Sequence, residues 1–400
     1  MKIQEQSISY NTFDDKILTI YLALKPLYLT ASGSVQICDV FLIISTLLLV
    51  FQNNGKISYM KKESRWVNTL AILCVYQLIV NLIWYIGLGF KEGSSDNTLL
   101  ISSLYYFFNL LVVFIVCTLN CIIGTDRVIK SLVDGCFYSS IVTGVGIVLN
   151  IGNQFRNTSF FNNPNQLGYH AIILLTIICL FWNYFGRKRR IMALAFCVWA
   201  VITSLSKAAF ISLIFVGFAI IMNNKKGVRT SQLIRNMILL IVASVALYLL
   251  FFSDSSIVLN NSTLYSLRMR MLGIAQENDS NLGTGRGYDR IFEMGYNFLW
   301  GMGEGGFYRF GIMRGYETHS TYASILVSYG IIGLFGYAYL FLRVICRKAS
   351  FHKLLALSGI LLYWVSHNGI RNSIMWMLFI ILILSEKRVT NYTNISTIEE

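Results

Sequence analysis

The chain has 400 residues, 55% of them apolar and only 13% charged. Soluble domains carry roughly 25% charged residues, so this balance excludes an ordinary water-soluble domain and points to a polytopic membrane protein. The net charge of +14 would suit a nucleic-acid surface, but it falls into alternating loops between apolar segments, which is a membrane-topology pattern and not a nucleic-acid patch.

A membrane span needs roughly 17–25 apolar residues, and twelve candidates follow one another. They lie at about 16–31, 35–51, 66–89, 99–123, 128–150, 166–185, 191–204, 208–222, 232–252, 320–342, 354–366 and 372–385. The seventh, eleventh and twelfth are short. The seventh and eighth meet at Ser204-Leu205-Ser206-Lys207, where a re-entrant pair is an alternative. No charged leader with an apolar stretch and a small-residue cleavage site opens the chain, so the first segment is expected to stay. The expected fold is therefore an all-α polytopic membrane protein of about 12 transmembrane helices. Residues 1–252 would hold helices one to nine, 253–319 one long extracytoplasmic loop, and 320–400 the last three helices and the C-terminal tail.

Loop charges set the orientation. Lys2, Lys16 and the clusters around 56–65, 127–130, 187–190, 225–235, 343–353 and 387–388 hold 22 of the 33 basic residues. These loops are expected on the cytoplasmic side, with both termini. The other side receives Lys91, Arg156, Lys207, Arg371 and the long loop. Lys25 and Asp39 flank the first turn on that side and are expected to pair with each other. The eight cysteines lie in or beside apolar segments, without a CxxC spacing or a Cys/His cluster, and read as buried thiols.

The long loop carries Arg268, Arg270, Arg286, Arg290, Arg309 and Arg314, and no lysine. Arginine forks suit phosphate and pyrophosphate. Seven acidic residues share the loop, so any anion site in it is local. Residues 262–275 are expected to form an amphipathic surface helix and 288–299 a second helix, broken by Gly301-Met302-Gly303-Glu304-Gly305-Gly306. Arg286 and Arg290 would share one face of such a helix; the plainer reading of Arg290 is a surface ion pair with Asp289 or Glu293. The loop ends at His319, where a histidine at a membrane surface can move a proton near neutral pH.

Three further stretches bear on the same side. Arg156 precedes Asn163-Pro164-Asn165, which opens the sixth span. Asn165 sits where a helix N-cap would sit, and the other reading is a helix N-terminus facing an anion with Arg156. Lys207 at its span boundary reads either as a snorkelling anchor or as a ligand cation. His367-Asn368-Gly369-Ile370-Arg371 either joins the same site or marks a helix end. There is no DxD, P-loop or HExxH motif, so the sequence offers no metal-bound sugar-nucleotide site, ATPase or zinc protease.

In order, Asn163-Pro164-Asn165, Ser204-x-Ser206-Lys207, Gly285-Arg286, Gly301-x-Gly303-x-Gly305, His319-Ser320-Thr321-Tyr322 and Gly330-x-x-Gly333 resemble the O-antigen polymerase and ligase superfamily (Wzy and WaaL types). The motifs cover about 156–335, and the span count covers the whole chain. The resemblance implies a glycosyltransferase of the bacterial inner membrane that needs no metal or other cofactor. It would transfer a glycan from an undecaprenyl-pyrophosphate carrier to an acceptor hydroxyl at the periplasmic face. His319 would be the base and Arg286 would bind pyrophosphate. Arg156, Asn165, Lys207, Arg290, Arg314 and Arg371 would bind substrate. The family usually has Arg where this chain has Lys207, which keeps the charge and loses the fork, and often His-Asn where this chain has His319-Ser320.

The polymerase reading, with another lipid-linked repeat as acceptor and with a chain-length regulator as a further partner, comes first. A ligase would use the same donor with lipid A core as acceptor. A lipid-linked oligosaccharide flippase is the alternative of a different class. It would be expected to show repeated bundles, short outside loops and charges lining a central cavity.

Overall fold

The computed structural model describes residues 13–30, 35–52, 61–87, 98–149, 151, 156–223, 265, 268–269, 287–304, 318–347 and 349–385. The ninth expected span, most of the expected 262–275 surface helix, Arg286, Arg309 and Arg314 lie outside these residues. The described residues form α-helices and short 3-10 turns, with no strand among them. The helices are α1 (Ile17–Leu24), α2 (Ile37–Gln52), α3 (Lys61–Gly87), α4 (Thr98–Ile123), α5 (Thr125–Val148), α6 (Pro164–Leu180), α7 (Arg187–Ser204), α8 (Lys207–Asn223), α9 (Thr321–Cys346), α10 (Phe351–Ser366) and α11 (Ser373–Leu384).

Four of these, α3, α4, α5 and α9, are long and apolar enough to cross a membrane. Their surfaces also suit lipid. On α3, Ile72, Val75, Ile79, Leu82, Ile83 and Ile86 are exposed at helical spacing, while Val67, Leu70, Cys74, Gln77 and Asn81 on the other face are buried. An apolar stripe of that length facing water would be anomalous.

The centre is α11, buried over its whole length and apolar on every side, as a helix enclosed by others must be. Around it Trp66, Tyr337, Phe341, Trp364, Trp376 and Phe379 form one aromatic cluster. The indole N–H groups in this cluster are satisfied by Leu340 O at 3.1 Å, Ile370 O at 2.7 Å and the Tyr169 hydroxyl at 2.7 Å. Buried tryptophans keep such partners because an orphaned N–H is costly.

The ends of the bundle differ in charge. One end, which we call the basic end, gathers Lys16, Arg127, Lys130 and the start of α7. Arg189 meets Asp134 there at 2.8 Å, and Arg127 meets Asp15 at 3.7 Å. The opposite, polar end holds the starts of α2, α6, α8, α9 and α11. Lys25 and Asp39 pair at this end at 3.1 Å, as their positions predict.

Three expectations change. The first segment ends as α-helix at Leu24 because Pro26 follows, and a proline disfavours helix at the residue before it. The helix expected over 288–299 is two 3-10 turns, Tyr288–Glu293 and Gly295–Phe298, divided where Gly295 takes a positive φ. All eight cysteines are free, but Cys346 at the basic end is exposed.

One backbone feature governs the polar end. Within α9, Gly330 has φ 64° and ψ −169°, which breaks the helical ladder. The segment 299–303 docks into the break. Met302 N donates to Val327 O at 2.8 Å, Gly303 N to Ser328 O at 2.9 Å, and Ile332 N to Leu299 O at 3.4 Å. A Cβ on Gly330 would strike the Leu299 carbonyl, and one on Gly301 would strike the Ser328 carbonyl. Both glycines also hold positive φ, so each is required twice over. Gly330→Ala is expected to destabilise the protein by about 2 kcal/mol or more, since this conformation is nearly glycine-only. Thermal unfolding of the purified protein in detergent checks it: a midpoint well below wild type is expected, whereas Gly217→Ala, with open space around its Cα, should leave the midpoint in place.

Candidate functional site

The polar end brings together motifs far apart in the chain, through side chains that satisfy backbone carbonyls where helices start and stop. The Arg156 guanidinium is the first link. Its Nε donates to Ser204 O at 3.0 Å, and its Nη2 donates to Asn165 Oδ1 at 2.9 Å. Ser204 ends α7, and Leu205 after it is left-handed, so the carbonyl has lost its helical partner. A cation there also meets the negative end of the helix dipole.

Asn165 is not the N-cap of α6. Asn163 is: its side chain accepts from Asn165 N at 2.8 Å, and Pro164 takes the first helical position, where its missing N–H does no harm. The Asn165 side chain is thereby left to Arg156. Its backbone carbonyl accepts from the Tyr363 hydroxyl at 2.7 Å.

Tyr363 extends the chain of contacts. Its ring stacks on Tyr169 at 4.5 Å and on His367 at 4.6 Å. The Thr321 hydroxyl donates to His367 O at 2.9 Å and accepts from Gly369 N at 2.9 Å. The path therefore reaches the start of α9, the residue pair after His319. On the other side, the Tyr288 hydroxyl donates to Val365 O at 2.6 Å and lies 2.8 Å from Ser320 Oγ. Ser320 caps α9 by accepting from Ala323 N.

His319 is exposed, between buried Thr318 and Ser320. Its neighbours are thus anchored while the imidazole faces outward. Arg290 is buried, and its Nη1 donates to the Thr318 hydroxyl at 3.3 Å. This places it under the histidine segment.

Lys207 is the first residue of α8, half-buried, three residues beyond the carbonyl that Arg156 holds. A cation at a helix N-terminus opposes the dipole, so helix stability does not account for it. The starts of α6 and α8 lie against each other: a Cβ on Gly168 would crowd Ala209 Cβ, Ser204 Oγ and Ser206 Cβ. Two helix N-termini and a lysine make a reasonable anion site.

Arg371 belongs elsewhere. Its Nη2 meets Glu304 Oε2 at 2.8 Å, and its guanidinium lies 5.5 Å from the Tyr105 ring centre. Glu304 is buried and also accepts from the hydroxyls of Tyr106 at 2.6 Å and Tyr329 at 3.0 Å. Its backbone N–H donates to Asn81 Oδ1 at 2.9 Å. Glu304 thus ties the glycine-rich 301–304 segment to α3 through its backbone and to α4 and α9 through its carboxylate.

Of the eight expected site residues, Arg156, Asn165, Lys207, Arg290, His319 and Arg371 therefore lie at one end of the bundle, and Arg286 and Arg314 lie outside the described residues. Tyr288, Tyr363 and Glu304 were not singled out from sequence, and His367 was weighed only as a possible member. A tyrosine among 23 carries no local signal, whereas Glu304 stood inside a glycine motif. Comparisons with protein-family models, curated proteins and solved structures returned no match to this chain.

Arg156 and Asn165 act as one unit in this frame, so their removals should not add. In a double-mutant cycle of Arg156→Ala and Asn165→Ala, read by thermal unfolding, a coupling of about 1 kcal/mol is expected, within the range for direct hydrogen-bonded partners. Strict additivity would show that the 2.9 Å contact carries no energy.

Proposed function

We propose that the chain is a polysaccharide polymerase of the O-antigen type in a bacterial inner membrane, with about twelve spans and the polar end at the periplasmic face. One observation supports this most. A continuous path of hydrogen bonds and stacked rings joins Arg156, Ser204 and Asn165 to Tyr363, His367 and Thr321, two residues beyond His319. Sequence segments bearing a base and cations are thus held together at one end of a helical bundle whose flanks are apolar.

The chemistry follows from these parts. The acceptor sugar hydroxyl gives its proton to the His319 imidazole as its oxygen attacks the anomeric carbon of the donor. The bond from that carbon to the carrier pyrophosphate breaks, with inversion as the expectation for a single displacement. General base catalysis of this kind contributes typically 10²–10⁴-fold. The leaving pyrophosphate carries its charge into the α6 and α8 N-termini with Lys207, and Arg286 and Arg314 are proposed to assist from the loop. Electrostatic stabilisation of a leaving group is strongest where donors are already oriented. Arg156 and Asn165 shape this site as its frame, and Arg290 fixes the segment that bears the base. The lipid tail would lie along the apolar flank and bring both substrates to one depth.

Two experiments test the reading. In a host strain deleted for the gene, the surface lipopolysaccharide should carry core with a single repeat. Wild type should restore the ladder, and His319→Ala should not. Accumulated lipid-linked polymer with no repeat on the core would identify a ligase in its place. The orientation is tested separately with single cysteines placed at the exposed positions Asn162 and Arg189. A membrane-impermeant thiol reagent should label position 162 in intact spheroplasts and position 189 only after permeabilisation. The reverse pattern would put the histidine in the cytoplasm and end the proposal.

A further inference from the structure

The basic end holds a feature that the transfer chemistry does not use: a cavity of about 670 Å³ between the starts of α1 and α5. Its size falls in the range of ligand pockets, roughly 300–1,000 Å³. The two helices begin side by side and run in the same direction. Thr19 N donates to Ser131 Oγ at 3.2 Å, and the Thr19 hydroxyl donates to Ser131 O at 2.9 Å. One turn further, a Cβ on Gly135 would strike Leu22 Cβ, so the backbones approach closely. The walls of the cavity are thereby fixed to each other before any ligand arrives.

Three cations line it, Lys16, Arg127 and Lys130, with two carboxylates, Asp15 and Asp134. Arginines engage both carboxylates: Asp15 meets Arg127 at 3.7 Å, and Asp134 meets Arg189 at 2.8 Å. The ammonium groups of Lys16 and Lys130 have no carboxylate partner among the described residues. Two further acids stand nearby without lining the cavity. Asp14 is buried, and Asp126 accepts from the Tyr184 hydroxyl at 3.1 Å. Sidedness alone asks only for basic residues somewhere at this end, where a long side chain can reach water. Here two lysines converge on one cavity, at helix starts where a cation opposes the dipole.

The cavity leads into an apolar lane. Tyr138 lines it and is exposed, and Val145, Val148 and Leu149 continue the exposed face along α5, with Ile141 half-buried between them. Spacings of three and four residues put these side chains on one side of the helix. Ile20 of α1 lines the cavity from the facing wall. Positive charge at a helix start and apolar surface leading away from it match a ligand with an anionic head and a hydrocarbon tail. A soluble anion would leave the lane uncovered.

We infer that this cavity holds the phosphodiester headgroup of an anionic phospholipid, with an acyl chain along the α5 lane. Basic pockets between membrane helices hold such headgroups. The inference needs a bilayer around the bundle and does not rest on the polymerase reading.

The probe is dihexanoyl phosphatidylglycerol, titrated into the full-length protein in a non-ionic detergent at low ionic strength and followed by calorimetry. Wild type is expected to bind it. Dihexanoyl phosphatidylcholine, with the same chains and no net charge, should bind at least tenfold more weakly. Glycerol phosphate and inorganic phosphate, with the charge and no chains, should not compete at equal concentration. Lys16→Gln with Lys130→Gln should weaken binding about thirtyfold, about fivefold for each lysine. Arg187→Gln with Lys188→Gln removes the same charge from exposed positions of the same end that do not line the cavity, and should bind within twofold of wild type. Thermal unfolding without lipid should give one midpoint for wild type and both double variants, so that a loss of binding is not a loss of fold. No binding by wild type, or equal binding of the uncharged lipid, would overturn the inference. Competition by inorganic phosphate would make this a site for a soluble anion and remove the lipid. An equal loss in the Arg187 and Lys188 variant would show diffuse attraction to the basic end and no pocket.

Discussion

Everything at the polar end depends on one constraint: a backbone carbonyl or amide released where a helix breaks inside an apolar bundle must find another partner. With little water to accept the bond, each orphan is costly, and side chains or other backbone segments must take it up. The Gly330 break is closed by Met302 and Gly303, the end of α7 by Arg156, and the turn after α10 by Thr321 and Tyr288. The polar residues gathered here are therefore first of all partners for broken backbone. Helices break at this end, and the breaks are what require polar side chains in a place where a membrane protein can otherwise hold few.

This divides the charged residues by role. A guanidinium with Nε on a helix-end carbonyl and Nη2 on an asparagine is oriented by its frame, as Arg156 is. One that meets a buried carboxylate, as Arg371 does, brings little net charge to its surroundings. Lys207 stands differently, because its position at the first turn of α8 works against the helix it begins. Buried Arg290, beneath Thr318, holds a loop end in place. Sequence alone counts all four as cations on one side. Only their surroundings tell the four apart.

Much of the architecture was legible beforehand because it rests on composition along the chain. Apolar runs located ten of the eleven described helices to within about five residues, α1 being the exception, and alternating basic loops foretold that Arg127 and Arg189 would collect opposite Arg156 and His319. The Lys25–Asp39 pair followed from two charges at one depth. Pro26 was a visible stop that the apolar count overran. The cap of α6 was displaced by two residues, since Asn163 and Asn165 both suit an N-cap and only the geometry shows which side chain turns back on the helix. Glu304 and Tyr363 were not legible as partners, because their contacts reach α4 and α9, or the start of α6, across long sequence separations that leave no local period.

The polar end holds two kinds of surroundings side by side. Lys25 and Arg371, each beside a carboxylate, line a cavity with amides and aromatic rings, and Lys207 begins α8 where it meets α6. The Asn165–Gln166 step connects the two regions over a single residue, at the start of a helix that is buried from Leu167 to Cys179. A rigid helix start of this kind fixes the spacing between the two regions, since a helix buried over that length has no room to shift.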